Sequence, residues 1–541
     1  MISALDQAVI GQALLAVARE MGAKLYRSAY STIVREAKDA STGILDMSGN
    51  AVAQSDELIP VLVGSLSLTF ESCSRFHPVD GMREGEFYIT NHPYHGGQHL
   101  QDVFIFMPIF FEGELVGWAT NLAHHADFVD RGHDHIFQEG LRIPPVRLYR
   151  AGKLQQDVMD LILLNMQVPR ERLNDFRAQM AANRQGIQRF QSLCRRYGRD
   201  LLLSACDALL DYAERLTRAG IATIPSGTYS FEDTFDGDEI EGSVTFRCRI
   251  EVKGDEMHLD FDAPPQVRAG INLVWTGLLA TVYYAVKTLI GADVPPNEGM
   301  FRPIHVTATK GSILNCVEPA AVNARLDPCQ RVVDLIHGAL APAIPDRITA
   351  AHNGACISST FSGVNPRTGE YYVYLETIGG GFGARASKDG LDGVHVHLTN
   401  TSNLPVEALE GEYPLVVERY ELVDDSGGAG KHRGGTGLRR QIRAEGHTCR
   451  TFIHGSRRLS SPWGLFGGGG GGRCRFAYSQ DADPPQKGYT FLRHGQSVTI
   501  VTPGAGGYGD PRERDRALLE RDIADGKVSV AEAGRLYGHD G

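Results

Sequence analysis

The chain has 541 residues, of which 42% are hydrophobic and 22% are charged. This composition is typical of a globular protein, and the length predicts about three or four domains. A net charge of −11 without a basic block argues against nucleic acid or an anionic membrane surface as a partner. The first residues lack a signal-peptide pattern, no apolar run could span a membrane, and the nine cysteines form no Cys-x-x-Cys pair. We therefore expect a cytoplasmic protein with reduced thiols.

The hydrophobic periodicity of the first half changes twice. The spacing of apolar residues predicts one amphipathic helix over the first 35 residues, and strand-like runs separated by glycine turns continue to about Tyr149. Helical spacing returns over 155–217, which we expect to form two or three helices with solvated or partner-binding polar faces. From Thr228 the alternation is that of a β-meander.

The second half mixes helices with short strands. A buried helix is predicted over 273–290, and a further helix over 330–341 is ended by Pro342. Short strands and glycine loops fill 345–420, before a final β block. We therefore predict a multidomain α+β fold of mixed β-sheets, with a helical insertion and a β-rich C-terminal block. The predicted regions are an N-terminal α/β region with the metal ligands (1–154), a helical segment (155–226), a central α+β domain (227–434), a β-rich domain (435–510) and a helical tail (511–541).

Metal-ligand residue types occupy both ends of one predicted β-hairpin. His99 and Asp102 precede an apolar run, Glu112-Gly113 is a turn signal, and His124 follows the returning strand. Folding the hairpin about this turn places position 102 opposite roughly position 123. We therefore expect His99, Asp102 and His124 to meet, and such a set accepts Zn, Mn or Fe. A capped turn is the alternative reading of the His-x-x-Asp pair.

The glycine runs do not predict a nucleotide site. Neither Gly467–Gly472 nor Gly379–Gly381 is followed by Lys-Ser/Thr, and no dinucleotide-binding fingerprint is present. Tight turns and close backbone approach are the expected roles. The segment GGGFGARASKDG at 379–390 is a candidate substrate-binding loop, because bare amides there are joined by the charges of Arg385 and Lys388.

Several motifs resemble the hydantoinase B/oxoprolinase family. They are NHPYHGGQHLQD (91–102), HHAD (124–127), QEGLRIPP (138–145), PNEGMFRPI (296–304), AAVNARLD (320–327), PVEALEGEYPL (405–415) and GGAGKHRGGTG (427–437). They occur in the family's order along nearly the whole chain, so the chain is identified as a member.

The resemblance implies a ligand set and further site residues. It adds Asp39 to His99, Asp102 and His124 as ligands of one divalent metal ion, and such a set leaves room for a water that the metal activates. It makes His124 and His125 the candidate catalytic residues, although His125 could be a ligand, an orienting group or the proton carrier. Within QEGLRIPP, we assign Glu139 and Arg142 to substrate binding.

The resemblance also implies a complex that hydrolyses a cyclic amide or imide. A hydantoinase A-type partner subunit would bind ATP and phosphorylate the small-molecule substrate, and the metal-bearing subunit would then cleave the activated C–N bond. We expect a heterotetramer or larger assembly. Two alternatives stay open: the metal subunit of an acetone-type carboxylase, and a non-catalytic structural partner.

The chain departs from the family pattern in two places. The family's Asp in NDPY is His92, and the segment 128–137 is shorter than usual. Loops of this kind shape substrate pockets, so these differences leave the identity of the substrate open. His92, His95, His133 and His135 could form a second cation site, but solvated loop histidines are the simpler interpretation.

Overall fold

The computed structural model describes residues 2–57, 59–62, 64–125, 134–236, 242–291, 293–479 and 489–539. Two compact units divide the chain. The first comprises Met1–Gly227, Glu251–Leu259 and Arg268–Arg325, and the second comprises Thr228–Ile250, Asp260–Val267 and Leu326–Gly541.

The first unit is built around a seven-stranded antiparallel sheet in the order β2-β1-β5-β4-β3-β6-β7. Its strands are β1 (Ala40–Leu45), β2 (Ala51–Gln54), β3 (Phe87–Thr90), β4 (Asp102–Phe111), β5 (Glu114–His124), β6 (Val146–Arg150) and β7 (Lys153–Leu154). Its helices are α1 (Ala4–Ser28), α2 (Thr32–Arg35), α3 (Ser65–Phe76), α4 (Gln156–Leu164), α5 (Pro169–Tyr197), α6 (Arg199–Ile221), α7 (Trp275–Ile290) and α8 (Glu298–Phe301).

A further four-stranded sheet has the order β11-β10-β9-β8. Its strands are β8 (Gly227–Asp236), β9 (Ser243–Lys253), β10 (Glu256–Asp262) and β11 (Ile304–Ala308). The predicted meander is therefore confirmed.

Two four-stranded sheets form the core of the second unit, in the orders β13-β12-β16-β18 and β14-β15-β19-β17. Their inward side chains share one apolar cluster that includes Phe361, Ile442 and Val498. The strands are β12 (Ile357–Val364), β13 (Tyr371–Ile378), β14 (Leu415–Leu422), β15 (Leu438–Ala444), β16 (Cys449–His454), β17 (Arg475–Tyr478), β18 (Tyr489–Leu492) and β19 (Ser497–Val501). The helices are α9 (Leu326–Leu340), α10 (Val406–Glu412), α11 (Arg516–Ala524) and α12 (Val530–Tyr537).

These elements confirm the predicted fold class, the three helices of 155–217 and the helical tail. The single helix predicted over the first 35 residues is wrong in one respect. It ends at Ser28, because Ala29 adopts an extended conformation, and a short second helix starts after Ser31. The backbone N–H groups of Tyr30 and Ser31 donate instead to Asp175 of α5. Among the described residues, no helix is long and apolar enough to span a membrane.

The β4–β5 hairpin is covered on both faces, which explains its continuous apolar sequence. Val103, Ile105 and Met107 share a cluster with Phe176 of α5. On the other face, the ring of Phe70 in α3 lies 5.8 Å from that of Phe106 and 4.6 Å from that of Trp118. Side chains at even and odd positions of β4 therefore meet different helices.

A β-bulge fixes the register of this hairpin. The turn at Glu112-Gly113 has both residues at positive φ (52° and 85°), as a two-residue hairpin turn requires. Phe110 pairs with Leu115 but Ile109 pairs with Gly117, which leaves Val116 as an extra residue. As a result Asp102 lies opposite His124, one position beyond the predicted partner at 123.

The bulge generates a testable prediction. Gly117 has φ 152°, and a Cβ there would lie 2.6 Å from the carbonyl oxygen of Leu45, so Gly117→Ala should lower the unfolding temperature markedly. The matched control is Gly113→Ala, where φ is 85° and no atom lies within 4 Å of the new Cβ. There only backbone strain of about 1–2 kcal/mol is expected. Calorimetry that ranks the two variants equally would contradict the role of Gly117.

Candidate metal centre

Three ligand side chains meet at the open end of the β4–β5 hairpin. Nδ1 of His99 lies 3.0 Å from Asp102 Oδ2, and Nδ1 of His124 lies 3.7 Å from Asp102 Oδ1. The ligand atoms of these three residues all lie within 4.8 Å of one another. Asp39 completes the group, with Oδ2 3.7 Å from His124 Nδ1. The structure thus brings together all four residues of the expected ligand set.

Local backbone geometry aims these side chains. Asp102 and His124 are paired across the hairpin, and the N–H of Asp102 donates to the carbonyl of His99. Asp39 precedes β1, and its carbonyl accepts the N–H of His124 at 2.9 Å. Lys38, before it, has φ 56°, a conformation that non-glycine residues adopt rarely and mostly where the surroundings impose it.

Arg325 is a further member of the cluster that the sequence did not predict. Its Nη2 donates to Asp102 Oδ2 at 2.8 Å, and its Nε donates to Gln98 Oε1 at 3.1 Å. Nε2 of Gln98 donates in turn to the carbonyl of Val61 and to the hydroxyl of Ser65. The guanidinium is hydrogen-bonded to Oδ2 of Asp102, and Oδ1 is the oxygen that faces His124.

The residues present fit a divalent cation. Asp102 Oδ1, the oxygen that faces His124, is buried without a hydrogen-bond partner, and buried polar atoms normally have one. Burial and the neighbouring carboxylate of Asp102 raise the pKa of Asp39 to about 6. Burial lowers the pKa of His99 to about 3, and so keeps that imidazole neutral as a ligand must be.

The cluster is closed on one side and open on the other. The side chains of His99 and Asp102 are 3% and 1% exposed, whereas those of His124 and Asp39 are 12% and 16% exposed. Solvent and small molecules therefore reach the cluster from the side of Asp39 and His124. A centre with an accessible side is typical of catalytic rather than structural metal sites.

His125 is not brought into the cluster. Strand alternation turns it to the opposite face, where its ring lies 4.7 Å from Phe176 and its Nε2 lies 3.1 Å from Gln179 Oε1. Burial lowers its pKa to about 4. The structure therefore places His125 between the sheet and α5, away from the ligand cluster.

Glu139 and Arg142 make contacts within the protein. Glu139 is fully buried, and its Oε1 accepts the backbone N–H groups of Val322 (2.7 Å) and Asn323 (2.8 Å). Arg142 forms an ion pair with Glu318 and lies over the ring of Phe137. Glu139 thereby anchors the segment that carries Arg325, and substrate binding by either residue stays a prediction.

The remaining expected residues lie elsewhere. Arg385 and Lys388 belong to the second unit, where the N–H of Arg385 donates to the carbonyl of Lys388 and its guanidinium lies 5.3 Å from the ring of Phe382. Their substrate role also stays a prediction. The rings of His92 and His95 lie 4.5 Å apart, whereas 126–133, with His133 and most of the unusual loop, lies outside the described residues.

The class of protein follows from the comparisons with known proteins. The family model described as hydantoinase B/oxoprolinase matches residues 4–511, and the chain belongs to this family. The caprolactamase beta subunit of Pseudomonas jessenii is 32% identical over 98% of this chain and 95% of its own length. The putative B component of a D-/L-hydantoinase from Pseudomonas sp. is 30% identical over 98% and 94%. These names support a family of cyclic amide hydrolases.

A longer relative and two solved structures are also similar to this chain. A 5-oxoprolinase of Arabidopsis thaliana is 28% identical over 93% of this chain, a match that covers 41% of that protein. The crystal structure of the ATP-dependent caprolactamase from Pseudomonas jessenii has a TM-score of 0.91 and 30% identity, and the match covers 99% of this chain and 96% of that one. An acetone carboxylase structure has a TM-score of 0.90 over 99% and 79%, with 18% identity, and so shares the fold.

The contacts of Arg325 predict that it orients the carboxylate of Asp102, which a positive charge of another shape would not do. Arg325→Lys keeps the positive charge but cannot contact Asp102 and Gln98 together. Zn²⁺ affinity, measured by competition with a chromophoric chelator, should fall by about 10-fold, as for other groups that orient a metal ligand. Arg142→Lys is the matched control and should bind as the wild type does. An unchanged affinity in Arg325→Lys would remove Arg325 from the site.

The two adjacent histidines should behave differently. His124→Gln should lose bound metal, whereas His125→Gln should keep it and instead lose stability, by about 1–3 kcal/mol for a disturbed buried hydrogen bond. Metal content by mass spectrometry and thermal unfolding measure the two effects. Loss of metal from His125→Gln in a folded protein would restore His125 to the ligand set.

Proposed function

We propose that this chain is the metal-bearing subunit of an ATP-dependent cyclic amide or imide hydrolase, acting on a substrate that a partner subunit has phosphorylated. The observation that carries the proposal is the accessible cluster of two imidazoles and two carboxylates, in a chain of this family. Relatives are named as hydantoinase and caprolactamase subunits, which supports a partner. No nucleotide-binding motif occurs in the sequence, so we assign ATP to that partner, of the hydantoinase A type.

The proposed chemistry explains why ATP is needed. An unstrained cyclic amide is a poor electrophile, and phosphorylation of its carbonyl oxygen makes the ring carbon electrophilic enough for water to add. Breaking the C–N bond then leaves an acyl phosphate, which a second water hydrolyses to the carboxylate and phosphate. Asp39, His99, Asp102 and His124 would hold one divalent ion, for which Zn, Mn and Fe all suit the donor set. When bound, such an ion lowers the pKa of water toward neutrality and stabilises negative charge on the reacting carbonyl.

The chain's own residues position the ligand side chains and exclude water from one side of the cluster. Arg325 fixes the carboxylate of Asp102, and the burial of His99 and Asp102 keeps that side of the cluster dry. The activated substrate would approach on the side of Asp39 and His124, where the exposure lies.

The proposal predicts that the two half-reactions can be separated. In the reconstituted complex, His124→Ala should abolish ring opening while substrate-dependent ADP formation persists at least in part, because phosphorylation belongs to the partner. ADP and ring-opened product should be measured in parallel with hydantoins, 5-oxoproline and ε-caprolactam. His125→Gln, which lies outside the ligand cluster, is the matched control and should retain both signals.

Three outcomes would count against the proposal. Equal loss of both signals in an assembled His124→Ala complex would argue against sequential chemistry on separate subunits. Ring opening by a metal-free complex would remove the cation from the reaction. Product formation that depends on added bicarbonate would identify a carboxylase instead.

A further inference from the structure

The second unit contains a buried cluster built from the same residue types as the metal centre of the first. Asp334 of α9 lies between two imidazoles: its Oδ1 is 3.3 Å from His352 Nδ1 and 3.1 Å from His397 Nε2. The ligand atoms of these three residues lie within 4.8 Å of one another. Their side chains are 1%, 1% and 2% exposed.

An arginine completes the parallel. Nη2 of Arg457 lies 3.2 Å from Asp334 Oδ2, as Nη2 of Arg325 lies 2.8 Å from Asp102 Oδ2 in the first unit. In both clusters one carboxylate oxygen contacts a buried guanidinium, and two imidazoles surround the same carboxylate. The spacing also suits a cation, because zinc bonds of about 2.0–2.1 Å in a tetrahedron place neighbouring ligand atoms about 3.3 Å apart.

The backbone around Asp334 is constrained in three places. His397 and Arg457 have φ values of 47° and 63°, in the left-handed region that non-glycine residues seldom adopt. Gly354 has φ 60°, and a Cβ there would lie 2.9 Å from Arg457 Nε and 3.2 Å from Asp334 Oδ2. Backbone strain of this kind persists where the surroundings over-determine it, often at functional sites.

Asp334 belongs to a buried network of ion pairs. Besides Asp334, Arg457 lies 3.4 Å from Asp233. Arg331 lies 3.4 Å from Asp233 and 4.0 Å from Asp236. The guanidinium of Arg457 is therefore shared between two carboxylates, and a cation beside Asp334 Oδ1 would add stabilising positive charge.

We propose that Asp334, His352 and His397 bind a second divalent transition-metal ion, with Zn²⁺ as the best-suited example. The three side chains are fully buried, in contrast to the accessible side of the first centre. The proposal is independent of the proposed function, which uses ligands of the first unit alone.

The test is the metal content of the full-length chain after loading with Zn²⁺ and removal of excess by gel filtration. Wild type should hold two ions, His397→Asn one, His99→Ala one, and the double variant none. Asn is the chosen replacement because it tolerates the left-handed backbone of His397. The matched control is His454→Asn, which disturbs another buried histidine–aspartate pair (His454 Nε2 to Asp327 Oδ2, 2.9 Å) and should still hold two.

Further measurements keep the proposal falsifiable if His397→Asn folds poorly. Anomalous diffraction from wild-type crystals at the zinc edge should show a peak beside Asp334 Oδ1. A strong chelator should lower the unfolding temperature of His99→Ala, which retains only the second ion. A single ion per wild-type chain, lost in His99→Ala, would overturn the second site but would not affect the proposed function. Asp334 would then only form hydrogen bonds with His352 and His397. Two ions in folded His397→Asn would likewise overturn the assignment.

Discussion

The candidate metal centre depends on the register of one hairpin. Side chains alternate between the two faces of a strand, so a shift of one residue would exchange His124 for Ala123 on the face that carries Asp102. The extra residue at Val116 sets the observed pairing of Asp102 with His124. The position of His125 against Phe176 follows from the same register. The bulge therefore decides which of two neighbouring histidines can reach the ligand cluster.

Much of the fold could be predicted because its elements obey simple periodicities. The meander of 228–262, the helices of 155–217 and the turn at Glu112-Gly113 all follow from local pattern. The bulge could not be predicted, since LVGWATN reads as an unbroken strand and nothing in it marks Val116. The break after Ser28 was also missed, because the donors there bind Asp175, far away in sequence.

The site was predictable only in part, for a related reason. His99, Asp102 and His124 lie on one hairpin, so local pattern brought them together, and the family resemblance supplied Asp39. Arg325 lies 223 positions from Asp102, and no local spacing connects the two. The cluster around Asp334 likewise joins residues from four separate segments. Glu139 was predicted to bind substrate, and its contacts in the structure are backbone amides that a sequence motif does not reveal.

The division of the chain into two units limits how such a chain can be recombined with other domains during evolution. Each unit is assembled from three separate segments, and the chain changes unit five times, including once within β9 and once within β10. No single cut therefore releases either unit as an intact piece. Gene fusion or domain shuffling must transfer the whole span as one block. The Arabidopsis 5-oxoprolinase fits this expectation, because nearly all of this chain aligns within a protein more than twice as long.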